Sequence, residues 1–267
     1  RRTLQLLLPW SPQLGASMDI EGKTALITGG AKRVGRGITL ALARAGANVV
    51  INYNNSATEA SETAAEAKAL GVEALPIRAS VDDYDAVGTM VDEAVQRFGT
   101  IDILVNNASL FVADPLPTND LSIWHRSIDT LVHGPFYCAN RVAPVMLEND
   151  GGVIISIGDL SAFEPWPGFA GHAVGKSAVL SLTRQLALEL APRIRANAVV
   201  PGPALRPIGY DEATFERVAD DTLLGRWGTP EEMAHAVLFL VEADYVTGEV
   251  ITVDGGQRFG HRKHAHG

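Results

Sequence analysis

Short apolar runs alternate with amphipathic stretches along nearly the whole chain. From Lys23 the order is KTALIT, a helical pattern to Ala45, NVVINY, a second helical pattern to Leu70, VEALPI, a third through Phe98, and IDILVN. It continues with a long helical stretch over 119–148, GVIISI, a helix over 171–191, RANAVV and EVITV. Almost continuously apolar strand runs mark strands covered on both faces, whereas half-exposed strands alternate. This rhythm predicts an α/β fold: a doubly wound parallel sheet of Rossmann type with helices on both faces. Residues 18–258 suit a single domain, because one core stops growing beyond roughly 250–300 residues. Ligands of such sheets sit outside the carboxyl ends of the strands, so candidate chemistry belongs there.

Composition narrows the function. The chain has 267 residues, of which 46% are hydrophobic and 20% charged, and no run approaches the roughly 18 apolar residues of a membrane span. A formal charge of −9 disfavours nucleic acid and anionic lipid as partners, leaving a small-molecule substrate. The single cysteine, Cys138, forms no intrachain disulfide, which fits a reducing, cytoplasmic compartment. Residues 1–17 open with two arginines and a short apolar stretch, but Pro9 and Pro12 interrupt it, so they are expected to be a disordered extension and not an export signal. The 259–267 tail carries His261, His264 and His266 and is expected to be solvated, with no metal bound.

The first strand runs into Thr28, Gly29, Gly30, Ala31, Lys32, Arg33, Val34, Gly35, Arg36 and Gly37 before a helix opens. Glycines there let backbone N–H groups and the helix N-terminus face a pyrophosphate. At the end of the second strand, where a carboxylate would grip an adenosine ribose diol, stand Asn52, Asn54, Asn55 and Ser56. Added positive charge at Lys32 and Arg33, with negative charge missing opposite, suits a 2′-phosphate. The expected cofactor is NADP(H).

These residues resemble a known family. The turn TGGAKRVG, NNAS at 106–109, the helix HAVGKSAVLSLTRQLALELAP, VVPGP at 199–203 and VDGG at 253–256 are together similar to short-chain dehydrogenases/reductases over residues 19–258. Within that family the chain most resembles pteridine reductases, through AKR and the segment Asn107, Ala108, Ser109, Leu110, Phe111. The resemblance implies cofactor contacts from Gly29, Lys32, Arg33, Val34, Gly35, Asn54, Asn55, Ser56, Ser80, Asn107, Ala108, Ser109, Lys176, Pro201 and Gly202. It implies a substrate bordered by Arg33, Phe111, Trp166 and Phe169, with a variable substrate loop over 203–228.

The family's Asn, Ser, Tyr, Lys tetrad is only partly present. Lys176 matches the lysine, Asp159 stands at the serine position as in pteridine reductases, His172 replaces the tyrosine and Leu131 the asparagine. Histidine ordinarily titrates near 6.5 against about 10 for a phenol, so it can donate a proton near neutrality without a lysine's help. Asp159, His172 and Lys176 are therefore the candidate catalytic set. Plainer roles stay open: His172 as a packed helix residue, Asp159 as a cap, Phe111 as core.

Three functions remain at this point. The first is an NADPH-dependent reductase of a C=N or C=O bond in a planar or cyclic molecule; the second is a carbonyl reductase or alcohol dehydrogenase on another small molecule; the third is a non-catalytic NADP(H)-binding protein. The 119–148 and 171–191 helices resemble those that pair across interfaces in the family, and with apolar Val179, Leu182, Leu186 and Leu190 they imply a homotetramer or at least a dimer.

Overall fold

A computed structural model describes residues 18–206 and 211–262. The strands are β1 (Thr24–Ile27), β2 (Asn48–Tyr53), β3 (Ala74–Arg78), β4 (Ile103–Asn106), β5 (Gly152–Ile157), β6 (Ile194–Pro201) and β7 (Val250–Val253). All pair in parallel in one sheet of order β3-β2-β1-β4-β5-β6-β7. The order reverses between β1 and β4, so their carboxyl ends frame the crevice where such sheets bind ligands.

Alternate strand residues point to opposite faces, and both faces are dry. Ala25, Ile27, Val49 and Ile51 pack under α1 (Arg33–Arg44) and α2 (Ala57–Ala69) on one side. Leu26, Val50, Leu104 and Ile154 pack on the other, under α3 (Tyr84–Phe98) and α5 (Gly134–Glu148). Covering both faces explains the uninterrupted apolar runs. Among the described residues no helix is long and apolar enough to cross a membrane.

Three features depart from the sequence expectation. The 119–148 stretch is α4 (Ser122–Ile128), a π-helical turn (Asp129–His133) and then α5. Leu131 lies in the π turn, 1% exposed, and a Cβ added to Gly175 would come within 2.6 Å of its own Cβ. The residue at the family's asparagine position is thus a packing residue. Second, two helices were missing from the pattern: α7 (Glu212–Asp220), in the 203–228 stretch expected to be a loop, and α8 (Pro230–Glu242). The α8 start is readable in Thr229-Pro230-Glu231-Glu232, since Thr229 and Glu232 form a capping box with Pro230 in the first turn. Third, of the apolar positions expected at an interface, α6 (Ala170–Leu190) buries Val179, while Leu186 and Leu190 are half-buried against the core.

The chain does not end its structure at residue 258, because a 3₁₀ turn spans Gln257–Arg262. The expected extension over 1–17 and the tail histidines His264 and His266 lie outside the described residues.

Candidate active site

The glycine-rich turn is built from the carboxyl ends of β1, β2 and β4. Gly29 takes a φ of +60° and its N–H donates to Asn52 Oδ1 at 3.2 Å, while Gly30 N–H donates to the Asn52 carbonyl at 3.1 Å. Asn107 Nδ2 donates to the carbonyls of Thr28 (2.8 Å) and Gly29 (3.1 Å), and Thr28 Oγ1 accepts from the N–H groups of Asn107 and Ala108. A Cβ on Gly35 would lie 2.2 Å from the Gly29 carbonyl oxygen, so only glycine lets α1 start this close to β1. Asn52 and Asn107 therefore spend their side chains on holding the turn's shape.

Around this cradle the charge is one-sided. The first turn of α1 holds no acidic residue and its N-cap, Lys32, makes no side-chain cap. Lys32 and Arg33 are exposed, and Arg33 sits at φ +55°, unusual for a residue with a side chain. At the end of β2, exposed Asn54 donates to Ser80 Oγ at 3.1 Å, Asn55 is exposed, and Ser56 is buried at the start of α2. No carboxylate stands there. Val34 is half-buried against the core, Ser109 is exposed, and Pro201 and Gly202 are half-buried at the end of β6, where Gly202 N–H donates to the Val253 carbonyl at 2.9 Å.

Asp159, His172 and Lys176 converge after β5 and in the first turns of α6. Lys176 is 4% exposed and its Nζ donates to the Ile157 carbonyl at 2.9 Å; burial pushes its pKa down to about 8 despite the Asp159 charge. Asp159 does two jobs. One oxygen accepts the Ser161 N–H at 2.8 Å, capping a 3₁₀ turn, and the other faces His172 Nε2 at 3.7 Å. Burial raises the Asp159 pKa, but the facing His172 ring, the Ser161 bond and the Lys176 charge together outweigh it and leave the carboxyl below its usual value.

His172 is 2% exposed, and its Nδ1 lies 2.9 Å from the Leu110 carbonyl. A carbonyl only accepts, so Nδ1 carries a hydrogen. Nε2 is buried without a hydrogen-bond partner among the described residues. A proton on Nε2 therefore exists only when the ring is the imidazolium, which places a positive charge against Asp159.

The aromatic residues meet around that ring. Phe111 stacks on Phe169 (centroids 4.6 Å apart, planes 13° apart) and meets His172 edge to face at 5.0 Å, while Trp166 lies stacked at 6.3 Å from His172. Phe111 is 51% exposed, so it is a wall and not a core residue. Beyond Trp166 a cavity of about 290 Å³ opens between Leu160 and the Gln257–Arg262 turn. The resemblance thus singled out residues that the fold brings together, with Arg33 placed separately on the cofactor turn. Missed from the sequence were the Thr28 hydroxyl, the Leu110 carbonyl and Asp114, all of which act through tertiary contacts with no local signature.

A family model described as Enoyl-(Acyl carrier protein) reductase matches residues 29–258. The chain is 37% identical over 239 residues to 3-oxoacyl-[acyl-carrier-protein] reductase FabG of Staphylococcus aureus, covering 88% of this chain and 97% of that one. It is 37% identical over 246 residues to 3beta-hydroxysteroid dehydrogenase 1 of Eggerthella lenta, covering 89% and 94%. The structure of FolM alternative dihydrofolate reductase 1 from Brucella canis, complexed with NADP, superposes with a TM-score of 0.85 at 33% identity, covering 90% of this chain and 96% of that one.

Proposed function

The chain belongs to the short-chain dehydrogenase/reductase family, and from that footing we propose that it is an NADPH-dependent reductase of a C=N or C=O bond in a planar or cyclic small molecule, resembling a pteridine reductase. The observation that carries this reading is His172: a buried ring with Nε2 unpartnered, faced by Asp159 and walled by Phe111, Trp166 and Phe169. Flat apolar walls suit a flat ring, which gains buried area and ring contact there.

The cofactor is NADP(H). Gly29, Val34 and Gly35 would lie along the pyrophosphate, Lys32, Arg33, Asn54, Asn55 and Ser56 around the 2′-phosphate, Ser80 near the adenine, and Asn107, Ala108, Ser109, Lys176, Pro201 and Gly202 along the nicotinamide half. The structure fits this group in two respects: an uncapped, carboxylate-free helix N-terminus, and a crevice that a Cβ on Gly35 would close. Bound there, NADPH supplies a hydride to the substrate carbon. The negative charge that would develop on the neighbouring nitrogen or oxygen is met by the His172 imidazolium, which gives up its Nε2 proton. Asp159 stabilises the charged ring beforehand, and Lys176 holds the ribose side. In this reading the protein is a cytoplasmic homotetramer, and light scattering at micromolar concentration is expected to give the mass of four chains; a monomer mass would refute it.

A second reading, carbonyl reduction of an unrelated small molecule, has its own support in the names of the FabG and 3beta-hydroxysteroid dehydrogenase relatives. A turnover screen under NADPH, with flat nitrogen heterocycles in one set and open-chain or alicyclic ketones in the other, decides between them. The first reading expects activity on the heterocycles; ketone activity alone selects the second.

Arg33 offers a separate check of the cofactor assignment. A side chain held at positive φ costs about 1–2 kcal/mol, so Arg33→Gly is expected to stabilise the free protein by about 1 kcal/mol. The same change removes a charged donor from the 2′-phosphate and should weaken NADP(H) at least roughly tenfold while leaving NAD(H) little changed. Thermal melting and cofactor titration read the two effects independently. An unchanged ratio of the two dissociation constants would take Arg33 out of the phosphate site.

A further inference from the structure

The histidine at the site is the third residue of α6, in a first turn where helices fray and ring direction is poorly fixed unless something outside the helix holds it. Phe169, the residue at the N-cap position, makes no side-chain cap. The missing cap comes from elsewhere in the chain. Asp114, on the segment that follows β4, is 7% exposed and its Oδ2 accepts the Gly171 N–H at 2.6 Å. Such a short bond from a first-turn N–H to a carboxylate is charge-assisted, and it satisfies one of the donors a helix start leaves open.

The same residue ties two pieces of the site together. Asp114 N–H donates to the Gly168 carbonyl at 2.8 Å, and Asp114 bridges Phe169 as a one-residue parallel pair. Three residues toward the N-terminus on this segment Phe111 stacks on Phe169, and just before it the Leu110 carbonyl accepts His172 Nδ1–H at 2.9 Å. Gly171 is what allows the contact. A Cβ there would sit 2.7 Å from Asp114 Oδ2 and 2.9 Å from the Ser127 Cβ, so the carboxylate and Ser127 of α4 close around bare backbone.

We propose that Asp114 is a positioning residue for His172: by holding the Gly171 N–H it aligns the 110–114 segment with the start of α6, so that the Leu110 carbonyl fixes Nδ1 as the protonated nitrogen and leaves Nε2 turned to Asp159 and the substrate. This deepens the reading in which His172 delivers the proton. Asp114 does not touch the reacting atoms. What it supplies is the tautomer and the direction of the ring.

The test uses the full chain labelled with ¹⁵N-histidine, the His172 signals being identified by their loss in His172→Gln. In its neutral form the wild-type ring is expected to show one tautomer, protonated at Nδ1. Asp114→Asn keeps an acceptor oxygen at the same place and should keep that tautomer. Asp114→Ala removes the acceptor, and Gly171→Ala pushes it away while leaving the carboxylate present; both should give mixed tautomers. With a turned-over substrate, the Ala variants should lose about 10- to 100-fold in kcat, as expected for misplacement of a reacting group by about 1 Å, with the NADPH dissociation constant unchanged. A single Nδ1–H tautomer in both Ala variants would overturn the proposal, including the case in which they merely melt at lower temperature. Mixed tautomers with full turnover would sustain the positioning role and sink the proton-delivery reading instead.

Discussion

Replacing His172 with phenylalanine is expected to lower the turnover of a reduced substrate by about 10²- to 10⁴-fold, the range general acid catalysis ordinarily supplies. Phenylalanine keeps the ring and the edge-to-face contact with Phe111, so the aromatic walls survive. It loses the Nδ1–H donated to Leu110 and the Nε2 proton facing Asp159. The pH profile is the sharper readout. Because the Leu110 carbonyl commits Nδ1–H, only the imidazolium has a proton on Nε2, so the wild-type reduction rate should carry an acid-favoured limb that belongs to this ring. His172→Phe should lack that limb while binding NADPH with near wild-type affinity, since the turn between β1 and α1 is untouched. Full rate with an unchanged profile would mean that the proton comes from Asp159 or from water.

Much of this architecture was legible in the chain, for a physical reason. Strands covered on both faces must be apolar throughout, and NVVINY and GVIISI coincide with β2 and β5 residue for residue. Helices on the surface of the sheet carry a weaker signal: α7 buries no residue, so burial left no stripe to read. The α8 start is written in its capping box, Thr229 with Glu232, and only that start is marked in the sequence. The π turn at Asp129–His133 has no sequence signature, and the helix was expected to run straight through it. At the site, Asp159, His172 and Lys176 were singled out by the resemblance to the family's tetrad, and the fold does bring their side chains together. Residues that act through backbone or long-range contact were not singled out. Asp114 lies in a segment that reads as an ordinary loop, and its role depends on a helix start 57 residues further on. Asn52 was grouped with the polar end of β2 by sequence alone, yet it is 2% exposed and spends its amide on Gly29 and Ala79. Val179 shows the same limit in reverse, because an apolar helix position looks alike whether it meets a partner chain or its own core.

Lys176→Met is expected to make the cofactor-free protein more stable at neutral pH while removing its activity. The lysine is buried, and burial has brought its pKa from 10.5 to about 8. That difference corresponds to roughly 3 kcal/mol of destabilisation while the group is charged in both folded and unfolded chains. A methionine of similar length fills the same space without that cost, but it leaves the Ile157 carbonyl without the Nζ donor and Asp159 without a nearby cation. An unsatisfied buried acceptor costs about 1–3 kcal/mol, so the net gain is about 1 kcal/mol at pH 7, rising if the carbonyl finds water. The pH dependence is the better discriminator. Below about pH 8 the ammonium is present in both states and its penalty is complete; between about 8 and 10.5 the folded chain has released a proton that the unfolded chain still holds, so stability contributed by this group rises with pH. Melting curves of the wild type across that window should therefore carry an upward component that Lys176→Met lacks, superimposed on whatever the other groups contribute to both. A variant that melts lower at pH 7 and tracks the wild type up to pH 10 would show that the buried ammonium is stabilised by its surroundings and not merely tolerated. The expected result places Lys176 among residues retained for what they do to a ligand, at the expense of the fold that buries them.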